Sequence, residues 1–250
     1  MKELADVHCH LNFENFRRDF DDVVRRARVA GVLLIIDSGF DHISNERSIS
    51  ISGVYDGVLH STLGFSPNRI GKSDHRFVIN QILEHQESII GIGEVGIDLK
   101  KAKADYSLQK KIFLEFVSLA EELDKPLIVH ARGAEERVYN LLAGKDVRVV
   151  FHCYTGSKAL ASKIVDSGHY ISLSTLVCFS KNVQEIALSL EPEHVLLETD
   201  SPFLSPDRGR NEPMKVSYAY KKLSEIYSIA IEELSSKLIK NVKEIFDVNP

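Results

Sequence analysis

Six side chains of metal-holding type, His8, His10, Glu94, His130, His152 and Asp200, fall at the ends of short β-branched runs spread along the chain. Imidazole and carboxylate donors without a thiolate suit Zn, Mn, Co, Ni or Fe, and carboxylates with water also suit Mg. Four histidines and two acids exceed what one catalytic ion with an open water position needs. Two divalent ions sharing one carboxylate is the economical arrangement, and Glu94 is the expected bridge. Ions about 3.5–4 Å apart acidify a water and hold the attacking and leaving oxygens of a displacement. A lone histidine at a strand end is ordinarily a hydrogen-bonded side chain, so the inference rests on the set. His42, His60, His75, His85, His169 and His194 lack such company and are read as structural. Cys9, Cys153 and Cys178 show no CxxC spacing and are odd in number, which indicates reduced, packed thiols.

The elements that must bring these donors together alternate regularly. Strand candidates are Leu4 to His8, Val32 to Asp37, Gly57 to Leu63, Ile89 to Glu94, Leu127 to His130, Val147 to His152, His169 to Ser172 and Val195 to Thr199. Eight strands in 250 residues leave about 31 per unit, one strand plus a crossover helix. In the clearest helix, Leu108, Ile112, Phe116, Leu119, Ala120 and Leu123 recur at helical spacing between Ser107, a candidate N-cap, and Pro126. Lys215 to Phe246 supplies the eighth helix and extra helical segments expected to pack outside the barrel. The fold class is therefore α/β, a (β/α)8 TIM barrel forming a single domain over residues 1–250, with chemistry at the C-terminal strand ends. An open nucleotide-binding sheet would need a glycine fingerprint after its first strand, and Cys9-His10-Leu11-Asn12-Phe13 supplies none.

Strand parity sharpens the placement, because residues two apart share a face. His8 and His10 point together, and Cys9 points away. The same rule sets Asp6 beneath the His8–His10 pair and Glu198 beneath Asp200, where both are expected to orient ligand imidazoles. It also turns Cys153 away from the site.

The net charge of −5 gives no global basic field, so any polyanion would be gripped by a local patch. The longest clearly apolar run, Val32 to Ile36, is far short of the roughly 18 residues that cross a bilayer. Met1-Lys2-Glu3-Leu4-Ala5-Asp6 opens without an apolar export core, so the expected location is the cytoplasm, with no membrane and no obligate protein partner.

Five ordered motifs resemble the TatD family of metal-dependent hydrolases, within the wider amidohydrolase-like barrels. Asp6-Val7-His8-Cys9-His10-Leu11 is similar to its D-x-H-x-H-L, and Gly93-Glu94-Val95-Gly96-Ile97-Asp98 to its G-E-[IV]-G-[LI]-D. Pro126-Leu127-Ile128-Val129-His130-Ala131-Arg132 resembles P-x-x-x-H-x-R, and Phe151-His152-Cys153-Tyr154-Thr155-Gly156 resembles F-H-C-[FY]-[ST]-G. Glu198-Thr199-Asp200-Ser201-Pro202-Phe203-Leu204, then Arg208-Gly209-Arg210-Asn211-Glu212-Pro213, looks like E-T-D-[SA]-P-[YF]-L and R-G-x-x-N-x-P. The resemblance implies a divalent-metal phosphodiesterase acting on DNA, a 3′ to 5′ exonuclease preferring single strands. It also implies that the positions of His8, His10, Glu94, His130, His152 and Asp200 bind the metals (two ions drawn from Zn, Mg, Mn, Co or Ni). Glu94 follows the family where related barrels carry a carbamylated lysine. Two departures touch the substrate side. Ser66 in Gly64-Phe65-Ser66-Pro67 replaces a histidine, and Leu99-Lys100-Lys101-Ala102-Lys103 replaces an aromatic pair.

A phosphodiester needs cations near the metals. Arg132, Arg208, Arg210, Lys100, Lys101 and Lys103 all follow the relevant strands, and arginine clasps phosphate oxygens bidentately. Arg132, Ser66, Arg208 and Lys101 are the expected substrate contacts, and Tyr154 or Phe203 could stack on a base. Catalysis is expected from Glu94 and Asp200, which hold metals and help activate water, with Arg132 offsetting phosphoryl charge. Two alternatives are a hydrolase of a small amide, lactone or phosphate ester, and a non-catalytic protein whose metals only brace the barrel.

Overall fold

The computed structural model describes residues 3–55 and 57–248. Met1 and Lys2 of the opening segment lie outside them, as do Asp56, Asn249 and Pro250. Eight strands run β1 (Leu4–Cys9), β2 (Val32–Ser38), β3 (Leu59–Leu63), β4 (Gly91–Asp98), β5 (Leu127–Arg132), β6 (Val149–Phe151), β7 (Tyr170–Ser174) and β8 (Val195–Glu198). Each pairs in parallel with the next, in chain order. The seam between β8 and β1 is closed at the mouth by Asp200 N–H to the His8 carbonyl at 2.9 Å and His10 N–H to the Ser201 carbonyl at 2.8 Å. This is the expected (β/α)8 barrel.

Helices α1 (Phe20–Val29), α2 (His42–Ser52), α3 (His75–His85), α4 (Tyr106–Glu122), α5 (Glu135–Leu142), α6 (Lys158–Asp166) and α7 (Lys181–Leu188) form the crossovers, and α8 (Val216–Tyr227) and α9 (Ile231–Phe246) follow β8. In α4, Ile112, Phe113, Phe116, Val117, Leu119 and Ala120 are buried as their spacing requires. Its cap is Asp105 rather than Ser107, with Asp105 accepting from Leu108 N–H at 2.9 Å. Leu108 is exposed, so the apolar face begins one turn later than its sequence suggests. Among the described residues no helix is long and apolar enough to cross a membrane.

Two apolar layers hold the barrel. The larger lies between strands and helices. The smaller fills the barrel interior with Ala5, Val7, Leu34, Ile36, Ile128, Val150 and Leu196, and α9 contributes Ile239, Val242, Ile245 and Phe246 to it. Asn241 of α9 donates to the carbonyls of Pro192 and Val195 at 2.7 and 2.8 Å, and the Ile245 carbonyl accepts from Arg148 at 3.1 Å. These contacts seat α9 across the N-terminal ends of the strands. It plugs the cylinder instead of packing outside it, which corrects the expectation from sequence.

β2 carries an extra residue at its start, where Leu4 and Ala5 pair with Val32 and Leu34, and two bulges lie nearer the mouth. Along β1, Asp6 pairs with Ile35 but Cys9 with Asp37, and along β4, Ile92 pairs with Leu127 but Val95 with Val129. Such bulges re-aim the side chains that follow them. Val7 and His8 therefore both turn inward, and Glu94 points into the barrel while Ile92 and Val95 join the outer layer. Strand β4 continues to Asp98, so Glu94 sits in mid-strand and does not close it.

Candidate metal centre

All six predicted donors converge at the C-terminal mouth. His8 and Glu94 are placed by the two bulges, His10 follows β1, His130 lies in β5, His152 follows the short β6, and Asp200 stands two residues past β8. They form two disjoint triads, His8–His10–Asp200 and Glu94–His130–His152, each with its donor atoms within 4.8 Å of one another. Glu94 spans them. Its Oε2 lies 3.6 Å from His10 Nε2 and 3.7 Å from His8 Nε2, and its Oε1 lies 3.3 Å from His130 Nδ1. Asp200 Oδ1 is 3.5 Å from His10 Nε2 and 4.0 Å from His8 Nε2.

The donor set fits a divalent cation on a second observation. His8 Nε2 is buried with no hydrogen-bond partner among the described residues, although it faces both carboxylates. A buried imidazole nitrogen is costly to leave unpaired, and a cation between it and the carboxylates satisfies all three.

Each imidazole is oriented from behind. The Ser38 carbonyl lies 2.7 Å from His10 Nδ1, and a carbonyl only accepts, so Nδ1 carries the proton and Nε2 faces the cluster. Ser38 Oγ lies 3.1 Å from His8 Nδ1, and Glu198 Oε1 lies 3.3 Å from His152 Nδ1. The other oxygen of Glu198 accepts a short bond from Ser172. Glu198 thus does what parity predicts. Asp6 does not: the β1 bulge turns it away from the imidazoles, and it accepts from Thr199 N–H at 2.8 Å and Thr199 Oγ at 2.6 Å, fixing the residue before Asp200.

Asp98 is the supporting residue that sequence reasoning missed. Its Oδ2 lies 3.1 Å from His130 Nε2, and its Oδ1 accepts from the backbone of Lys100 and Lys101, each at 2.8 Å. The signal was its place in β4, four residues past Glu94 and therefore on the same face. Buried Gln109 of α4 pins the strand end by accepting from Asp98 N–H at 2.8 Å. Outer partners of a ligand imidazole set its tautomer and basicity. Asp98→Ala is expected to lower metal affinity roughly 10- to 100-fold without unfolding the protein, as measured by metal titration calorimetry. Unchanged affinity would confine Asp98 to bracing the β4–α4 turn.

With no cation between them, the buried imidazoles and carboxylates shift one another. Burial pushes Glu94 up, but His130, His8, His152 and His10 hold it well below the usual carboxylate range. Burial likewise opposes the ionised form of Asp200, and His10 overcomes it. Burial pulls His10 and His152 down, yet Asp200 raises the first and Glu198 the second, each to about 9. His8, desolvated and stacked on His152 at 4.0 Å, is instead lowered.

The predicted substrate residues separate into two groups. Arg132, half-exposed at the end of β5, lines a cavity of about 120 Å³ with His130, His152, Cys153, Thr155 and Leu204. Cys153 belongs to this wall because its backbone turns left-handed at φ 47°, which ends the strand alternation that would have faced it away. Lys101 and Arg208 are exposed on their loops, and neither side chain has a partner among the described residues. Ser66 is buried and caps a short turn at Pro67–Arg69 by accepting from Asn68 N–H. Two expectations fail. Arg210 turns away from the mouth to Asp19, at 2.6 Å, and lies over Phe16. Tyr154 is buried with its hydroxyl donating to the Ser157 carbonyl at 2.9 Å, so it offers no face to a base.

Comparison with known proteins agrees with this geometry. A family model described as TatD related DNase matches residues 5–247. An uncharacterised metal-dependent hydrolase of Methanocaldococcus jannaschii is 38% identical over 245 residues, covering 97% of this chain and 96% of its own. Human deoxyribonuclease TATDN3 is 29% identical over 258 residues, covering 97% of this chain and 94% of its own. Among solved structures, YjjV, a TatD homologue of Escherichia coli K12, superposes with a TM-score of 0.91 at 26% identity over 98% of each chain. With a family model spanning nearly the whole chain and a full-length relative above 30% identity, this protein belongs to the TatD family, metal-dependent hydrolases acting on ester bonds.

Proposed function

We propose that this protein hydrolyses phosphodiester bonds of DNA, trimming single strands from their 3′ ends. His8, His10 and Asp200 on one side and His130, His152 and Glu94 on the other would hold two divalent ions, with Glu94 standing between the two sets. The single observation that carries the reading is the position of Arg132, which lines one small cavity with His130 and His152. A neutral amide or lactone has no use for that cation, whereas a phosphate diester does. The naming of human TATDN3 as a deoxyribonuclease supports the same substrate class.

When bound, the ions supply Lewis acidity and lower the pKa of water. Glu94 keeps both triads in register by spanning them. Asp200, a carboxylate at the same mouth, is the base for the attacking water's proton. Arg132 offsets the charge that builds on the phosphoryl oxygens, an interaction strongest in the transition state. Asp98, Ser38 and Glu198 keep the imidazoles aimed.

The test is digestion of end-labelled single strands over a panel of divalent metals, with a chelator control. Shortening of the 3′ end that stops on chelation supports the reading, and turnover of a lactone or amide without DNA cleavage overturns it. Arg132→Ala is expected to lower kcat/KM on DNA roughly 10²-fold while metal content stays unchanged. Equal activity in that variant would remove Arg132 from the phosphate contact. The rival small-ester reading draws on the small cavity and the acidic net charge, and the same panel separates it.

A further inference from the structure

The two sides of the mouth differ in chemistry. Lys100, Lys101 and Arg132 stand on the β4–β5 side. On the β1–β2–β8 side three phenylalanines climb away from the metal cluster. Phe40 and Phe13 lie 5.5 and 5.3 Å from the His10 ring, Phe13 lies 5.1 Å from Phe40, and Phe203 lies 5.7 Å from Phe13. Phe40 is buried as a floor, with Arg69 over its ring at 4.9 Å and Arg69 itself paired to Asp41 at 2.9 Å. Phe203 is 51% exposed although it sits only three residues past Asp200. Its ring meets Phe13 at 83°, so the pair forms two walls of an open corner.

A corner of this kind suits a planar aromatic group, which stacks on one wall and presents its edge to the other. The exposed wall begins one ring away from a metal-ligating histidine, so an occupant there is covalently close to the bond being cut. Resting on the DNA reading above, we propose that Phe203 and Phe13 form the stacking site for the base of a nucleotide flanking the scissile phosphate. The strand then crosses the mouth with that base on the aromatic side and backbone phosphate towards Arg132 and Lys101. Stacking on an aromatic face is tolerant of base identity, so the site positions a nucleotide without selecting its sequence.

Dinucleotides provide the test, one with both bases, one with the 5′ base replaced by hydrogen, and one with the 3′ base so replaced. Phe203→Ala is expected to raise KM for the two-base substrate about tenfold, with metal content unchanged and Phe203→Tyr restoring the wild-type value. One of the two base-deleted substrates is expected to show the same KM with wild type and Phe203→Ala, because the contact is already gone. The proposal is overturned if Phe203→Ala leaves KM for the two-base substrate unchanged, or if its penalty survives undiminished on both base-deleted substrates. If wild-type protein leaves every dinucleotide and every single strand intact, the DNA reading itself falls, an outcome plainly distinct from a silent Phe203 variant.

Discussion

Glu94→Ala is expected to abolish hydrolysis and metal loading together. The carboxylate reaches across both triads, with Oε2 facing His8 and His10 and Oε1 facing His130. Without it, four imidazoles surround a buried space with Asp200 as the sole carboxylate among the five remaining donors. Losing the electrostatic stabilisation that bound metal supplies amounts to several kcal/mol, so activity should fall roughly 10³-fold or more. Metal analysis of the purified variant should find the centre empty. Glu94→Gln, which keeps the shape but not the charge, separates packing from coordination. A folded Glu94→Ala protein with full activity and full metal content would dismantle the shared-carboxylate scheme.

Gly96→Ala is expected to have the largest effect on stability. Gly96 pairs with His130 across β4 and β5 and has φ +149°, a region L side chains rarely adopt. A Cβ built there would overlap the His130 carbonyl oxygen, with the His130 carbonyl carbon and nitrogen only 2.8 and 3.0 Å away. All three are backbone atoms of the neighbouring strand, so relief requires opening the ladder. Backbone strain and overpacking together should cost about 3 kcal/mol or more. The unfolding midpoint of the metal-free protein should then drop by roughly 6–12 °C, and His130 should be displaced from the cluster. A midpoint within about 2 °C of wild type would mean that β4 and β5 separate freely there.

The barrel was legible in sequence because its alternation is enforced by burial: strands buried on both faces run apolar, and crossover helices repeat at 3.6 residues. The six donors were legible because their chemistry is rare at strand ends in that combination. What sequence did not show was local. Parity assumes an unbroken pleat, and the extra residue in β1 sends Asp6 to Thr199 instead of beneath His8. A left-handed turn at Cys153 brings a thiol expected in the core to the cavity wall. Arg210 matched the pattern of a phosphate contact, yet Asp19, nearly two hundred residues earlier, holds it elsewhere. No spacing rule sees such long-range partners.

Helix α9 seals the cylinder at the end opposite the donor cluster, filling it with Ile239, Val242, Ile245 and Phe246. Nothing can thread through the molecule, so reactant and both cleavage products share a single doorway. On a polymer, each cycle must back the chain out or slide it sideways across the rim before the next bond can enter, and released fragments compete directly with the incoming end.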